Sequence, residues 1–407
     1  MRVLLLSQHF WPESFRINEV AQSLLEQGCE VTVLTGKPNY PEGRIFDGYR
    51  AGGVQAEAWQ GMEIVRVPLV PRGGGGAWRL VLNYLSFIAS ASVFGARALR
   101  GRRFDVVFVY ASSPILQVIA AIVLRRLKRA ALVTWVQDLW PDSLAITGYV
   151  RSPRLLAAVG HVVRWIYRHC DLLLVQSHGF AEAVRPMAGG TPVAYHPNPA
   201  ERTAAGDGNA VLRLKPGFNI VFAGNLGTVQ ALETVLDAAE LLGADSGIRW
   251  WLIGSGARSD WLVEQVRLRG LVNVELPGRF EPRQMPAIYA QADALLVSLH
   301  AGEALARTIP SKVQTCLSAG RPILAALSGE GAEVVRRAGA GLCCAPGDAQ
   351  ALAEAASALR DADAGERDRM AAAGLRCAAE HFAPATLAER LVTHFRRAIE
   401  GRHRRQL

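Results

Sequence analysis

The 407 residues contain no Cys-x-x-Cys pair, no tandem repeat and no His/Cys/Asp/Glu set with metal-ligand spacing. Each absence removes a class of protein. The six cysteines, at 29, 170, 316, 343, 344 and 377, outline neither a zinc site nor a disulfide framework. They fit a reducing compartment, or simply small buried apolar side chains. The first strand–helix loop lacks Gly-x-Gly-x-x-Gly, which counts against a nicotinamide dinucleotide enzyme. No Ser/His/Asp set suggests a hydrolase triad. The apolar run after Met1 is too short for a signal peptide and reads as a first buried strand. Charged residues make up only 20% against 50% hydrophobic, so a disordered chain is excluded.

What is present fits a two-domain globular protein, because one ordinary core does not extend over 407 residues. The formal net charge of +9 suits an anionic partner: a nucleotide, a phospholipid surface or nucleic acid. No nucleic-acid recognition module accompanies it, so nucleic acid is not expected as a partner. Two charge-free windows bear on membranes. Residues 106–124 divide at Ser112-Ser113-Pro114 into a buried strand, a turn and a helix. Residues 80–96, between Arg79 and Arg97, fall short of the roughly 20 apolar residues of a spanning helix. With Asn83, Ser86, Ser90 and Ser92, they read as a helix that is buried or lies against a bilayer.

Apolar strands alternate with helical segments along the first half, with strands expected at 3–6, 30–35, 64–67, 105–110, 131–137 and 171–176. Gly28 ends the first of these helices. A polar, glycine-containing stretch at 200–215 reads as a linker. The alternation then restarts, with strands expected at 219–223, 250–253, 272–276, 294–299 and 322–326. Continuous apolar strands alternating with helices indicate parallel sheets covered on both faces. The fold class is therefore α/β, with two Rossmann-like domains and a cleft between them, and ligands at the carboxyl ends of the strands.

Several segments at such positions carry chemistry. The loop 7–18 is long, aromatic and polar, and its His9, Trp11, Glu13 and Arg16 suit recognition of a sugar or a lipid-linked acceptor. Gln137 and Asp138 end a strand, where a carboxylate can meet a hydroxyl, while Asp142 reads as a cap on the helix beginning near Ser143. In the second half, Gly224, Asn225, Gly227 and Gln230 lie on a strand–glycine–helix unit that lets backbone approach a phosphate. Pro310 fits the first turn of a helix, which also places Ser311 and Lys312 there. A cation in that turn is unfavourable by about 0.3–1 kcal/mol unless an anion binds beside it. A donor diphosphate held by Arg307, Lys312 and free amides removes that penalty. Gly329 and Glu330 open another helix, where glycine permits close approach and the carboxylate can accept ribose or sugar hydroxyls. No metal is expected, and the charge on a leaving diphosphate falls to Arg, Lys and amide dipoles.

Six motifs together resemble one family: Pro38-Asn39-Tyr40-Pro41-Glu42-Gly43, Leu82-Asn83-Tyr84-Leu85-Ser86-Phe87, Val136-Gln137-Asp138-Leu139-Trp140-Pro141-Asp142, Gly224-Asn225-Leu226-Gly227, Thr308-Ile309-Pro310-Ser311-Lys312 and Gly329-Glu330-Gly331. They are similar to the retaining glycosyltransferases of family 4, and within these to the WbuB-like branch of bacterial O-antigen and capsule enzymes. The resemblance implies a GT-B fold, two Rossmann-like domains with parallel sheets facing an interdomain cleft. It implies an acceptor domain at 1–200, a donor domain at 201–385 and a C-terminal helix, 386–407, crossing back to the first. It further implies a nucleotide-diphosphate sugar as donor and no other cofactor. The implied acceptor is a polyprenyl-diphosphate-linked sugar, reached from the cytoplasmic side by peripheral contact with anionic membrane at its inner face. The basic run 125–129 and the region 79–103 fit that contact. N-acetyl-L-fucosamine is the first sugar suggested. The chain departs from the family where an Arg and a Lys of the second-domain loop are replaced by Asn225 and Gln230. The Glu-x7-Glu positions fall on Arg307 and Thr315, and Gln137 stands where a histidine is common. Two alternatives stay open: a UDP-sugar 2-epimerase of the same fold, and an inactive sugar-nucleotide-binding partner.

Overall fold

The computed structural model describes residues 1–73, 76–146, 150, 152–200 and 212–404. The chain forms two compact units, Met1–Pro197 with Pro384–Leu407, and Asn198–Ala383. Of the expected linker at 200–215, residues 201–211 lie outside the described residues.

The first unit is built on β1 (Arg2–Leu6), β2 (Glu30–Gly36), β3 (Gln55–Trp59), β4 (Met62–Val67), β5 (Val106–Ala111), β6 (Ala131–Val136), β7 (Leu172–Val175) and β8 (Val193–Tyr195). Their order is β3-β4-β2-β1-β5-β6-β7-β8, parallel except for the antiparallel β3–β4 pair. Every residue of β5, β6 and β7 is buried, as unbroken Val/Leu runs require when helices cover both faces. The order changes direction between β1 and β5. At such a switch point the two flanking loops part and leave a crevice outside the strand ends.

The window 106–124 divides as read from the sequence, into β5, the Ser112–Pro114 turn and a helix Val118–Lys128. The window 80–96 lies in a helix, Ala77–Ser90, continued by a π-helical turn, Ala91–Gly95, and a last turn, Ala96–Ala98. One face of it, with Asn83, Phe87 and Ala91, is buried. Asn83 there accepts a hydrogen bond from Gln8 Nε2 and donates one to the Val70 carbonyl, both at 2.6 Å. The last helix, Pro384–Arg404, belongs to the first unit. Its Leu391, Val392, Phe395 and Ala398 join the core of the first sheet, with the Phe395 ring 5.1 Å from that of Phe108.

The second unit carries β9 (Phe218–Asn225), β10 (Ile248–Ser255), β11 (Val274–Gly278), β12 (Ala294–Ser298), β13 (Ile323–Ala326) and β14 (Gly341–Cys344). All are parallel, in the order β11-β10-β9-β12-β13-β14. This is the doubly wound 3-2-1-4-5-6 arrangement, with its switch point between β9 and β12. Three strands were not expected from the sequence: β3, β8 and β14. All three are short edge strands, and edges lack the two-sided burial that produces a continuous apolar run.

Candidate active site

In the second unit, the switch point brings the carboxyl end of β9 beside the loop leaving β12. Gly224 has φ +137, and a Cβ there would lie 3.3 Å from Lys312 Cε and 3.4 Å from its Nζ. Lys312 is the second residue of the helix Ser311–Ser318. Pro310 precedes this helix in extended conformation instead of lying within its first turn, one position earlier than expected, so the amides that follow it open the helix. The Lys312 side chain does not swing into solvent. Its Nζ sits 3.3 Å from the centroid of the Phe222 ring and donates to Gln230 Oε1 at 3.2 Å. Burial pushes the Lys312 pKa down to about 7, with Cys316 opposing the shift. A cation over a ring face is attracted by about 0.5–2 kcal/mol. That recovers only part of the lost hydration, which explains the direction of the shift.

The start of the helix Gly329–Ala338 meets the same segment. Gly329 has φ +67, and a Cβ there would fall 2.0 Å from the Ala306 carbonyl oxygen, so only glycine fits. Glu330 lies in the first turn of that helix. Asn225 is exposed at the end of β9 and lies close over Gly227. Arg307 forms an ion pair with Glu303, one helical turn earlier. Ser311 is exposed at the head of its helix. Lys312, Gln230 and Gly224 are therefore brought together, and Arg307 is paired with Glu303.

A group not anticipated from the sequence borders this loop. His300, just beyond β12, donates its backbone N–H to the Val229 carbonyl at 2.9 Å, and its Nε2 lies 3.0 Å from Glu233 Oε1. Arg258 reaches the other Glu233 oxygen at 3.5 Å and stacks 3.7 Å from the Trp261 ring centroid. Phe222 was missed as well. The available signal was position: His300 follows a strand end, and Glu233 lies in the first turn of the helix Leu232–Leu242.

In the first unit, the β1 loop folds around one carboxylate. Glu13 is buried; its Oε1 accepts the backbone N–H groups of Asn39 at 2.8 Å and Tyr40 at 2.7 Å. His9 Nδ1 lies 3.1 and 3.0 Å from the two Glu13 oxygens, and the His9 ring stacks on Phe15 at 5.1 Å. An acceptor-only carboxylate selects the Nδ1–H form of the ring, which leaves Nε2 to deal with other groups. Trp11 stacks on Trp59 at 5.5 Å, and its carbonyl receives the guanidinium of buried Arg66. Arg16 opens the following helix, Arg16–Glu26.

Across the switch point, Gln137 leaves β6 and its N–H bonds the Ala111 carbonyl at 3.1 Å. Asp138 is engaged in its own turn: one oxygen accepts from Trp140 Nε1 at 3.2 Å and the other from Ser143 Oγ. Asp142 is the first residue of the helix Asp142–Ile146, one position before the start expected at Ser143.

Among the described residues, no group of three or more His, Cys, Asp and Glu side chains could hold a metal ion. The sequence does contain one Asp-x-Asp, Asp361-Ala362-Asp363, but it joins two helices. Asp361 pairs with Arg360, and Asp363 caps the helix Ala364–Cys377.

Residues 14–201 match the family model described as glycosyl transferase 4-like domain, and residues 217–361 match that described as glycosyl transferases group 1. The putative colanic acid biosynthesis glycosyl transferase WcaI of Escherichia coli K12 is 27% identical over 347 residues, covering 79% of this chain and 82% of that protein. The probable glycosyltransferase WbjE of Pseudomonas aeruginosa is 25% identical over 296 residues, 68% of this chain and 71% of that one. Among solved structures, the sucrose-phosphate synthase of Thermosynechococcus elongatus superposes with a TM-score of 0.72 at 17% identity, over 97% of this chain and 98% of that one. HepE of Anabaena, solved in complex with UDP and glucose, has a TM-score of 0.67 at 15% identity, over 97% and 99%. These structural likenesses give the GT-B fold.

Proposed function

A chain made of a glycosyl transferase 4-like domain and a glycosyl transferases group 1 domain is a glycosyltransferase of the GT-B type, and from that premise we propose that it moves a sugar, with retention and without a metal ion, from a nucleotide-diphosphate donor to a polyprenyl-diphosphate-linked acceptor in bacterial surface polysaccharide synthesis. The carrying observation is Lys312, turned inward over Phe222 and against Gln230 beside Gly224. An ammonium stored at a switch point, next to helix N-termini, suits the charge of a departing diphosphate. The position that holds a lysine in the resembled family is Gln230 here, and its amide oxygen now receives Lys312. The cation reaches the same loop from another helix.

In the proposed step, the bond between the sugar anomeric carbon and the donor phosphate oxygen breaks. The bond from that carbon to the acceptor oxygen forms on the same face, and the hydroxyl proton passes to the departing phosphate oxygen. Lys312 and the amides at the heads of Ser311–Ser318 and Gly329–Ala338 offset the phosphate charge. In the first unit, the Glu13-oriented His9 and the exposed edge of the β1 loop receive the acceptor. The colanic acid context named for WcaI supports a surface polysaccharide product. The UDP and glucose named for HepE support a nucleotide sugar. The WbuB-like resemblance makes N-acetyl-L-fucosamine the first donor to try.

Nucleotide sugars are screened for thermal stabilisation, and the best is incubated with and without a lipid-linked acceptor in the presence of EDTA. Acceptor-dependent transfer with retained anomeric configuration is expected. Conversion of donor alone would instead indicate an epimerase. Binding without turnover on any acceptor would indicate an inactive partner, and transfer abolished by EDTA would overturn the metal-free route.

A further inference from the structure

We infer that the outward face of the helix Trp78–Ala98 is the surface on which the first unit lies against an anionic lipid bilayer; this rests on the lipid-linked acceptor proposed above. The helix is 21 residues long, and by length and composition alone it is apolar enough to cross a membrane. Its inner face excludes that role, since Asn83, Phe87 and Ala91 are packed into the unit and Asn83 is hydrogen-bonded to Gln8 and Val70. The outer face is nevertheless apolar. Trp78 is 70% exposed, Leu85 52% and Val93 63%, and Val81 and Phe94 are exposed with them. Trp78, Val81, Leu85, Ala89 and Val93 recur at three- and four-residue spacing, which is one stripe of a helix. A helix buried on one side and apolar on the other belongs in a membrane interface plane, not across it.

Charge selects the occupant. Between Glu63 and Asp105 the chain has no acidic residue, while arginines stand at 66, 72, 79, 97, 100, 102 and 103. Arg66 is buried against Glu57 and Arg102 is paired with Glu63, so the exposed cations to count are Arg79, Arg97, Arg100 and Arg103. Arg97, Arg100 and Arg103 are exposed at the C-terminal end of the stripe. The helix Val118–Lys128 ends at the same place. Lys128 Nζ donates to the carbonyls of Leu99 and Arg102, which brings exposed Arg126, Leu127 and Arg129 alongside. At the other end, a cavity of about 580 Å³ is lined by Arg44, Ile45, Val70, Trp78, Arg79 and Leu82, apolar walls with two guanidinium groups, of which that of Arg44 is paired with Glu42. An apolar stripe that holds no carboxylate itself, with arginines in excess of the flanking Glu42 and Glu63 at its ends, matches acyl chains beneath anionic headgroups. A second copy of this chain brings the same cations and no acidic residue on this segment to meet them.

The test is flotation with phosphatidylcholine vesicles containing a quarter phosphatidylglycerol, with no donor or acceptor present. Wild type is expected to float with these vesicles and much less with pure phosphatidylcholine. The variant Trp78→Ser/Leu85→Gln/Val93→Gln is expected to lose binding at least about tenfold, with thermal stability unchanged or raised. Independently, Arg97→Gln/Arg100→Gln/Arg103→Gln should weaken binding to the anionic vesicles roughly fivefold per arginine. Wild type remaining unbound, or the apolar variant floating like wild type, would overturn the inference. So would light scattering that shows a wild-type dimer split by the apolar substitutions, which would give the face to a second copy. Flotation needs no transfer, so its failure leaves the transferase reading standing, and intact flotation without transfer would count only against that reading.

Discussion

Replacing Lys312 by Met should make the protein more stable and a poorer binder of donor at once. Met keeps the length and apolar stem but removes a cation that burial has brought from a pKa of 10.5 to about 7. A displacement of that size corresponds to differential solvation on the order of 4–5 kcal/mol at about 1.4 kcal/mol per unit. The ring contact and the Gln230 hydrogen bond are lost with the charge, so a net gain of roughly 1–3 kcal/mol in unfolding free energy is expected at neutral pH. The pH dependence has a definite sign. The folded-state pKa lies below the unfolded one, so between about 7 and 10.5 the unfolded chain binds the extra proton and wild-type stability rises with pH. The advantage of the variant is therefore largest below pH 7 and shrinks above it. Donor affinity should move the other way. Loss of a charge-assisted hydrogen bond costs about 1–3 kcal/mol, or roughly 5- to 150-fold in Kd. The wild-type advantage in binding should fade as pH climbs past 7 and Lys312 sheds its proton. Calorimetric titration with donor and thermal melting across pH measure both quantities. Unchanged donor affinity in the variant at pH 6.5 would refute the role assigned to Lys312, whatever the melting data show.

Glu13→Gln places an amide where a buried oxygen accepts two backbone N–H groups and faces His9. A loss of about 1–3 kcal/mol in chemical denaturation is expected, with transfer falling and donor affinity retained. Wild-type stability would show that the carboxylate is not the anchor of this loop. Gly329→Ala forces a Cβ to within 2.0 Å of the Ala306 carbonyl at φ +67. It should cost at least about 1–2 kcal/mol and displace the head of the donor-side helix, weakening donor binding. A variant with full affinity would place the donor elsewhere. Acid should destabilise the first unit through His196 and His394, whose pKa values burial lowers to about 3 and about 4. Both stay neutral in the folded protein while the unfolded chain takes up protons below about 6.5, so stability falls as pH drops from there by up to about 1.4 kcal/mol per unit for each ring. His394→Gln should flatten that slope in denaturant titrations, and an unaltered slope would assign acid sensitivity to other groups.

The central strands were readable because burial on both faces leaves a one-dimensional trace: β5, β6 and β7 are unbroken apolar runs with a helix before and after. β3, with Gln55 and Glu57 on a half-exposed edge, leaves no such trace. Site residues divided in a similar way. That Lys312 stands in the first turn of a helix follows from local chemistry around Pro310. Its inward direction is set by Phe222, some ninety positions earlier and visible only once β9 is in place. Arg307, expected to help bind an anion, pairs with Glu303 at i−4, the ordinary helical ion pair. Asp138 was read as facing a crevice, whereas Trp140 and Ser143 take its oxygens within five residues. In both cases a short-range partner is available in the sequence and holds the side chain in this structure. The Glu233–His300 contact joins segments that only the β9–β12 adjacency brings together, so neither residue stood out alone.

Crystals grown with the donor nucleotide sugar would test most directly whether the diphosphate binds over Gly224 in the second unit. A phosphate oxygen about 2.7–2.9 Å from Lys312 Nζ, the length of a charge-assisted hydrogen bond, is the expected result. A diphosphate seated away from Lys312, with the ammonium still resting on Phe222, would contradict the account.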